Sequence, residues 1–204
     1  MALSHKRVDF TLKPVGFENI KNIEDKSFTS VPVLNDSGKL LGDSFEIATY
    51  LEARYPEGPS LFQGAGGFAL SRFAESYCKT MLHPPLAVAA VSRMYALMGP
   101  QDQAYFRQAR EKRFGKPLEE IAEGAGQAIE KAIENLAPMN DLLRGQAWIG
   151  GDGPVYGDYV LFGTLQWVHV CGLKGLLEPG SPLAAWFASC LSLYSLPVEV
   201  PEPG

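Results

Sequence analysis

Apolar and polar residues alternate with two different periods along this chain. Near the start, Val8, Phe10 and Leu12 alternate with Asp9, Thr11 and Lys13. That period of two predicts a strand, which Pro14 ends. The stretch before it, Met1 to Lys6, reads as the end of a helix. Phe17 to Ile23 suits a short helix, and Val31-Pro32-Val33-Leu34 reads as a strand entered through Pro32. Asn35-Asp36-Ser37-Gly38 is turn chemistry, with Gly38 free to take a positive φ. Lys39-Leu40-Leu41 is the return strand of a hairpin. From Asp43 to Arg54 the period becomes helical. Asp43 can cap this helix, Glu46 stands three residues on as in a capping box, and Phe45, Ile47, Ala48, Tyr50 and Leu51 give it a broad apolar face. Tyr55-Pro56 stops it.

Pro56 to Gly67 holds Pro56, Gly58, Pro59, Gly64, Gly66 and Gly67 and reads as a linker. Beyond it the pattern is helical throughout. Phe68 to Met98 predicts one long helix bent at Pro84-Pro85. Pro100 to Arg113 and Leu118 to Leu143 predict two more. Asp158 to Val170 is apolar on every side, as expected of a central, buried helix. Pro182 to Tyr194 closes the helical part, and the proline-bearing tail from Pro197 is expected to be loose. Segregated strand-bearing and helical parts imply an α+β chain in two units. The expected division is 1–56, a linker at 57–66, and an all-helical 67–204.

The chain has 204 residues with a net charge of -5. That balance argues against a nucleic-acid partner, since phosphate binding needs clustered Lys and Arg. The densest basic stretch, Arg107, Arg110, Lys112, Arg113 and Lys116, reads as a solvated helix face, with a short anion-attracting patch as the alternative. Cys78, Cys171 and Cys190 have no metal-ligand spacing and fall in apolar helical stretches. Three unpaired, buried and inert thiols in a reducing compartment are expected, with no metal and with a catalytic thiol as the minor alternative. No signal peptide and no apolar run of about 20 residues is found, so a cytoplasmic protein with no membrane partner is expected.

Chemistry concentrates at the hairpin and the helix after it. A proline at the mouth of a strand cannot donate to a ladder. In the cis form it would turn the chain and expose the amide and carbonyl of Val31, ready to pair with an extended peptide. After the hairpin comes a helix N-terminus whose free amides attract a carboxylate, with the Ser44 hydroxyl as a further donor. Singly, Pro32 ends a loop and Asp43-Ser44 caps a helix. Together at this spacing they suit a peptide that carries a carboxylate at one end.

Ser30-Val31-Pro32-Val33-Leu34, then Gly42-Asp43-Ser44, Ile47-Ala48, Tyr50-Leu51-Glu52 and Tyr55-Pro56, resembles the thioredoxin-like domain of glutathione transferases. Trp148-Ile149-Gly150-Gly151 and Tyr156-Gly157-Asp158-Tyr159 resemble the loop and buried helix start of their helical domain. Leu61-Phe62, Gly66-Gly67, Arg72-Phe73, Leu82-His83-Pro84 and Gln103 to Arg107 are similar to the β-etherase-like subgroup of bacteria and fungi.

The resemblance implies an incomplete thioredoxin-like domain followed by an all-α domain, with glutathione as co-substrate. Val31 would hold the cysteinyl backbone of glutathione, and Pro32 would be the cis-proline. Ser44 and its neighbouring amide would hold the γ-glutamyl carboxylate, and Asp43 would shape that corner. A small hydrophobic electrophile would lie in the cleft between the domains, with Tyr77, Met81, Tyr95 and Trp167 as candidates for its wall. Each of the four also reads as ordinary helix packing. A homodimer is expected on the same ground.

Two departures from the family follow. The strand and the Tyr, Ser or Cys loop that open the family's first domain have no counterpart, leaving about 20 residues unmatched. The catalytic residue is therefore unknown, and a non-catalytic binding or scaffold protein of the same fold is the alternative. Ser4 is expected to pack within a helix remnant and His5 to lie on the surface. The family's Ser or Thr three residues before the helix Asp is Val155 here, a lost cap that costs about 1 kcal/mol. Without a central strand, residues 1 to about 30 should be less stable than the helical part. Hydrogen exchange checks this, and uniform protection across both parts would contradict it.

Overall fold

The computed structural model describes residues 1–194; the tail from Pro197 lies outside them. The chain opens with a single helical turn, α1 (Ala2–His5). Residues 8–16 carry no regular structure, and Phe10, Leu12 and Val15 are exposed. The strand expected over Val8 to Leu12 is therefore not formed. Alternation alone does not make a strand: its amides and carbonyls need a partner edge. Among the described residues the sheet has two strands, β1 (Leu34–Asp36) and β2 (Lys39–Leu41). They pair antiparallel, Leu34 opposite Leu41 and Asp36 opposite Lys39. The strand thus begins at Leu34, three residues later than the sequence pattern suggests, because Val31 to Val33 have no partner edge. A 3-10 helix (Phe17–Asn22) lies between α1 and the hairpin.

Helix α2 (Ser44–Arg54) starts where its cap predicts. Asp43 Oδ1 accepts from the amides of Phe45 at 2.8 Å and Glu46 at 2.9 Å. The hairpin is tied to this helix through Asp36, whose Oδ2 accepts from the hydroxyls of Tyr50 and Tyr55. Glu52, on the other side of α2, accepts from Lys6 Nζ at 3.1 Å, from the Leu61 amide at 2.9 Å and from the Ser60 hydroxyl. One carboxylate thereby joins α1, α2 and the following loop. The Lys6 side chain is only 1% exposed, so this ion pair is sheltered from solvent.

The expected long helix is divided into α3 (Ala65–Tyr77), a π-helical turn (Cys78–Leu82), α4 (His83–Ala89) and α5 (Val91–Ala96). The prolines explain the division. Pro84 and Pro85 have no amides to offer the carbonyls of residues 80 and 81. The chain widens just before them, and the His83 amide reaches back five residues to the Cys78 carbonyl. The Met81 carbonyl instead accepts from the side-chain amide of Asn135 at 2.6 Å. The Asn135 carbonyl in turn accepts from the Tyr77 hydroxyl. The prolines' unmet acceptor is thus satisfied across the helix packing.

Helix α6 (Pro100–Phe114) ends at Gly115, left-handed at φ 68. The single helix expected over Leu118 to Leu143 is two, α7 (Leu118–Glu123) and α8 (Ala125–Leu142), meeting at Gly124. Helices α9 (Tyr156–Val170) and α10 (Pro182–Ser192) follow. Helix α9 is the axis of the principal core, with Leu161, Phe162, Leu165 and Val168 packed on Leu82, Leu86, Ala132, Trp186 and Phe187. A second cluster joins Phe45, Ile47, Ala48 and Leu51 of α2 to Leu61, Phe62, Tyr156 and Tyr159.

The start of α9 is held by groups from four places. Asp158, fully buried, accepts from the amides of Ile149 at 2.7 Å, Val155 at 2.9 Å and Gly150 at 3.3 Å, and from Trp186 Nε1 at 2.9 Å. Burial pushes its pKa up, and the four donors pull against that. Val155 has no side-chain acceptor, yet the expected loss of the cap is made good elsewhere. The Gly157 amide donates to the hydroxyl of Ser71, buried on α3, at 2.9 Å, and the Tyr156 amide donates to the Leu61 carbonyl at 2.6 Å. Gly157 itself permits this: a Cβ there would stand 3.3 Å from Ser71 Cα.

Replacing Ser71 with Ala leaves the buried Gly157 amide without an acceptor, a loss of about 1–2 kcal/mol. Urea unfolding checks this: the midpoint should fall with the slope unchanged, and a wild-type midpoint would show that Ser71 is not the cap.

Candidate functional site

The peptide bond between Val31 and Pro32 is cis. Val31 and Pro32 are exposed, Val31 at 54%. Among the described residues no hydrogen bond engages the Val31 amide or carbonyl, so this exposed residue has one backbone donor and one acceptor uncommitted. The other predicted pair stands at the start of α2. Asp43 and Ser44 are exposed, and Asp43 spends one oxygen on the amides of Phe45 and Glu46. That leaves the Ser44 amide and hydroxyl, with the positive end of the helix dipole, for an incoming anion. The hairpin between the two pairs is fastened to α2 by Asp36.

The helical part of the chain reaches this corner by packing Phe68 and Arg72 of α3 on the Phe45 ring and by one hydrogen bond from Tyr156. The Tyr156 hydroxyl donates to the Ser44 carbonyl at 2.8 Å. Tyr156 is buried between Phe45 and Phe62, and burial raises its pKa to about 12, so it stays a neutral donor. The sequence pattern gave no sign of this link, because Tyr156 is 112 residues from Ser44.

His5 is also placed differently from its expected surface position: it is buried, at 9% exposure. Its Nε2 donates to the Ser60 carbonyl at 3.1 Å, and its Nδ1 accepts from the Tyr159 hydroxyl at 2.6 Å. The carbonyl can only accept, which fixes the tautomer. Tyr159 then accepts from Tyr194 at 3.1 Å. A neutral His5 therefore stitches α1 to α9. Helical period cannot reveal this, because α1 is a single turn.

The four candidates for an acceptor wall have separate packing partners. Tyr77 rests against α8 through Asn135, and Met81, 40% exposed, is one turn further along the same face. Trp167 packs on the principal core. Tyr95 belongs to a satellite cluster with Val91, Phe106, Leu118 and Ile121, under the Arg107 guanidinium 5.0 Å from its ring. Cys78 and Cys190 are buried, and Cys171, expected to be so too, is half-buried. Burial raises all three thiol pKa values, Cys78 to about 11, so none is a thiolate at neutral pH. Among the described residues no cluster of three or more His, Cys, Asp or Glu could hold a metal. No helix among them is long and apolar enough to cross a membrane.

A cis-proline backbone, a hairpin and a capped helix against an all-helical partner define a thioredoxin-like half joined to a helical half. Residues 1–59 match the glutathione S-transferase N-terminal domain and residues 69–175 the glutathione S-transferase C-terminal domain. The chain belongs to the glutathione S-transferase family. It is 27% identical over 146 residues to the glutathione S-transferase-like protein ustS of Aspergillus flavus, covering 65% of this chain and 51% of that one. The chain thus spans about half the length of this curated relative. Its fold is that of a glutathione transferase, GSTFuA3, of Phanerochaete chrysosporium (TM-score 0.80, 24% identity, 92% of this chain and 85% of the other). It is also that of a glutathione S-transferase of Ceriporiopsis subvermispora solved in complex with glutathione (TM-score 0.76, 23% identity, 94% and 85%).

Two measurements test these links. Burial holds the folded-state pKa of His5 below its ordinary 6.5. Its stabilising contribution is therefore complete above 6.5 and is lost as pH falls through the lower folded value. Stability measured from pH 7 to 5 should fall, and less steeply in His5→Gln; identical slopes would remove His5 from the account. Tyr156→Phe should cost about 0.5–1.5 kcal/mol. Hydrogen exchange at the first turn of α2 should rise with it, and unchanged exchange there would contradict the link.

Proposed function

We propose that this protein binds glutathione in an extended form across Val31 and the start of α2, and uses it on a small hydrophobic electrophile. The observation that carries this reading is the pairing of uncommitted groups: the Val31 backbone beside a cis-proline, and the Ser44 amide and hydroxyl at a helix N-terminus. In this arrangement the Val31 amide and carbonyl pair with the cysteinyl unit as an added strand. Ser44 takes the γ-glutamyl carboxylate, Pro32 sets the turn, and Asp43 shapes the corner while holding the next two amides. The thiol sulfur would then attack an electrophilic carbon in the cleft and form a thioether. In an addition the thiol proton ends on the neighbouring atom. In a displacement the leaving group, an aryloxide where an aryl ether is cleaved, takes up that proton. Tyr77, Met81, Tyr95 and Trp167 are the proposed wall of the acceptor side. The resemblance to the family supports the rest: a homodimer in the cytoplasm, with a glutathione-binding unit at 1–56, a linker at 57–66 and a helical unit at 67–204.

A second reading, a non-catalytic binding or scaffold protein, is favoured by one set of contacts. The buried hydroxyls at the junction are already committed, Tyr156 to Ser44 and Tyr159 to His5 and Tyr194. Neither is free to hold a thiolate.

Calorimetric titration with glutathione, repeated with Ser44→Ala, tests the binding. The variant should bind about ten- to a hundredfold more weakly, since it loses a hydrogen bond to a charged group. No binding by the folded wild type would overturn the reading. Binding without turnover of an activated aryl halide would select the non-catalytic one.

A further inference from the structure

On the glutathione reading above, we infer that Phe28 is a positioning residue for the binding of that peptide. Its ring, set on the backbone of Gly42, fixes the Val31 backbone relative to the start of α2.

The two halves of the candidate site lie on the two arms of the hairpin, past its open end. Val31 stands three residues before Leu34, the first residue of β1, and Ser44 three residues after Leu41, the last of β2. Leu34 opposite Leu41 is the last rung of the ladder. Beyond it the two arms share no backbone hydrogen bond among the described residues, so the sheet does not fix where Val31 lies relative to Ser44. At the turn end the hairpin is tied to α2 through Asp36, Tyr50 and Tyr55. A ligand that pairs with both halves needs the open end tied as well, because a segment left loose must be ordered on binding.

Phe28 supplies that tie. A Cβ at Gly42 would stand 2.5 Å from Cδ1 and 2.6 Å from Cε1 of the Phe28 ring, so the ring edge occupies the space a side chain would fill. Gly42 has no left-handed φ that would call for glycine; close approach of the ring is what the position requires. The contact joins a residue three before Val31 to a residue two before Ser44, one step past the last rung. Phe28 is half-buried, yet it belongs to none of the three apolar clusters among the described residues. The ring is therefore spent on the open end of the hairpin and not on a core.

The chain that leads into Phe28 is set too. Glu24 accepts from the side-chain amide of Asn35, in β1, at 3.2 Å. Asp25 Oδ1 accepts from the Ser27 amide at 3.0 Å and from the Ser27 hydroxyl at 2.6 Å. Residues 24–28 are thus fastened to one arm through Asn35 and to the other through Gly42, and Val31 follows three residues on. Displacing the ring frees Val31 while α2 keeps its Asp43 cap and its packing.

Calorimetric titration of the full chain with glutathione tests this on Phe28→Ala, Phe28→Tyr, Gly42→Ala and the double variant Gly42→Ala/Phe28→Ala. Phe28→Ala should bind about tenfold more weakly, since the loop must then be ordered on binding. Phe28→Tyr, which keeps the ring, should keep the affinity. Gly42→Ala should bind at least as weakly as Phe28→Ala, since its methyl group displaces the ring. The two losses should not add: with the ring gone the methyl group has room, and the double variant should bind like Phe28→Ala. The urea midpoint of each variant should stay close to that of the wild type. Without any ligand, the Gly42 α-proton resonances should carry a ring-current shift that disappears in Phe28→Ala. Additive losses, wild-type affinity in Phe28→Ala, equal losses in Phe28→Tyr and Phe28→Ala, or Gly42 resonances insensitive to Phe28 each overturn the proposal. A midpoint that falls in step with affinity assigns Phe28 to stability and overturns it as well. A wild type that shows the ring-current shift and binds no glutathione overturns the glutathione reading, and the role of Phe28 with it.

Discussion

The carboxylate of Asp158 is the constraint on which the rest of this structure depends. A charged group at the centre of an apolar protein is unfavourable unless every acceptor site meets a donor. Four donors converge on it from the loop at 149–150, from Val155 and from the indole of Trp186. Because the carboxylate can only accept, those four groups must come together around it, and this fixes the loop, the first turn of α9 and the position of α10 at once. The surrounding apolar side chains sharpen the requirement, since any donor left unmatched there would stay without water.

The start of α9 is in turn where the two halves of the chain are joined. Tyr156 reaches the Leu61 and Ser44 carbonyls and, one turn later, Tyr159 reaches His5, while Gly157 ties the same turn to Ser71 of α3 within the helical half. Each of these bonds has one end on α9 and the other on an element that precedes it by at least 86 residues. The candidate binding corner at Ser44 is thus held from the helical side, and Asp36 holds its other flank through Tyr50 and Tyr55. The two-stranded sheet contributes little burial of its own. Its position follows from α2, and α2 is placed by the cluster shared with Tyr156 and Tyr159.

Local features of this architecture were legible in the sequence. The hairpin turn, the Asp43 cap and the apolar helix at α9 are each written in adjacent residues, whereas Gly66 and Gly67, read as linker, lie in the first turn of α3. What the sequence did not disclose lies in partners distant along the chain. Val8 to Leu12 has the right alternation for a strand and no edge to pair with. The break before Pro84 is spread over a π turn because Asn135, on α8, takes the Met81 carbonyl. Val155 looked like a lost cap, and Ser71 supplies it from α3. His5 looked like a surface residue because a one-turn helix has no face to read. In each case local pattern states a demand for a hydrogen-bonding partner, and only the fold names the partner.

The most direct test of this dependence is hydrogen exchange on Asp158→Ala beside the wild type. Removing the carboxylate orphans four buried donors, which should lower stability by on the order of 3 kcal/mol or more. The account predicts that protection falls together at 149–157, at the start of α10 and at the first turn of α2. Loss confined to 149–155, with α2 and α10 protected as in the wild type, would contradict it.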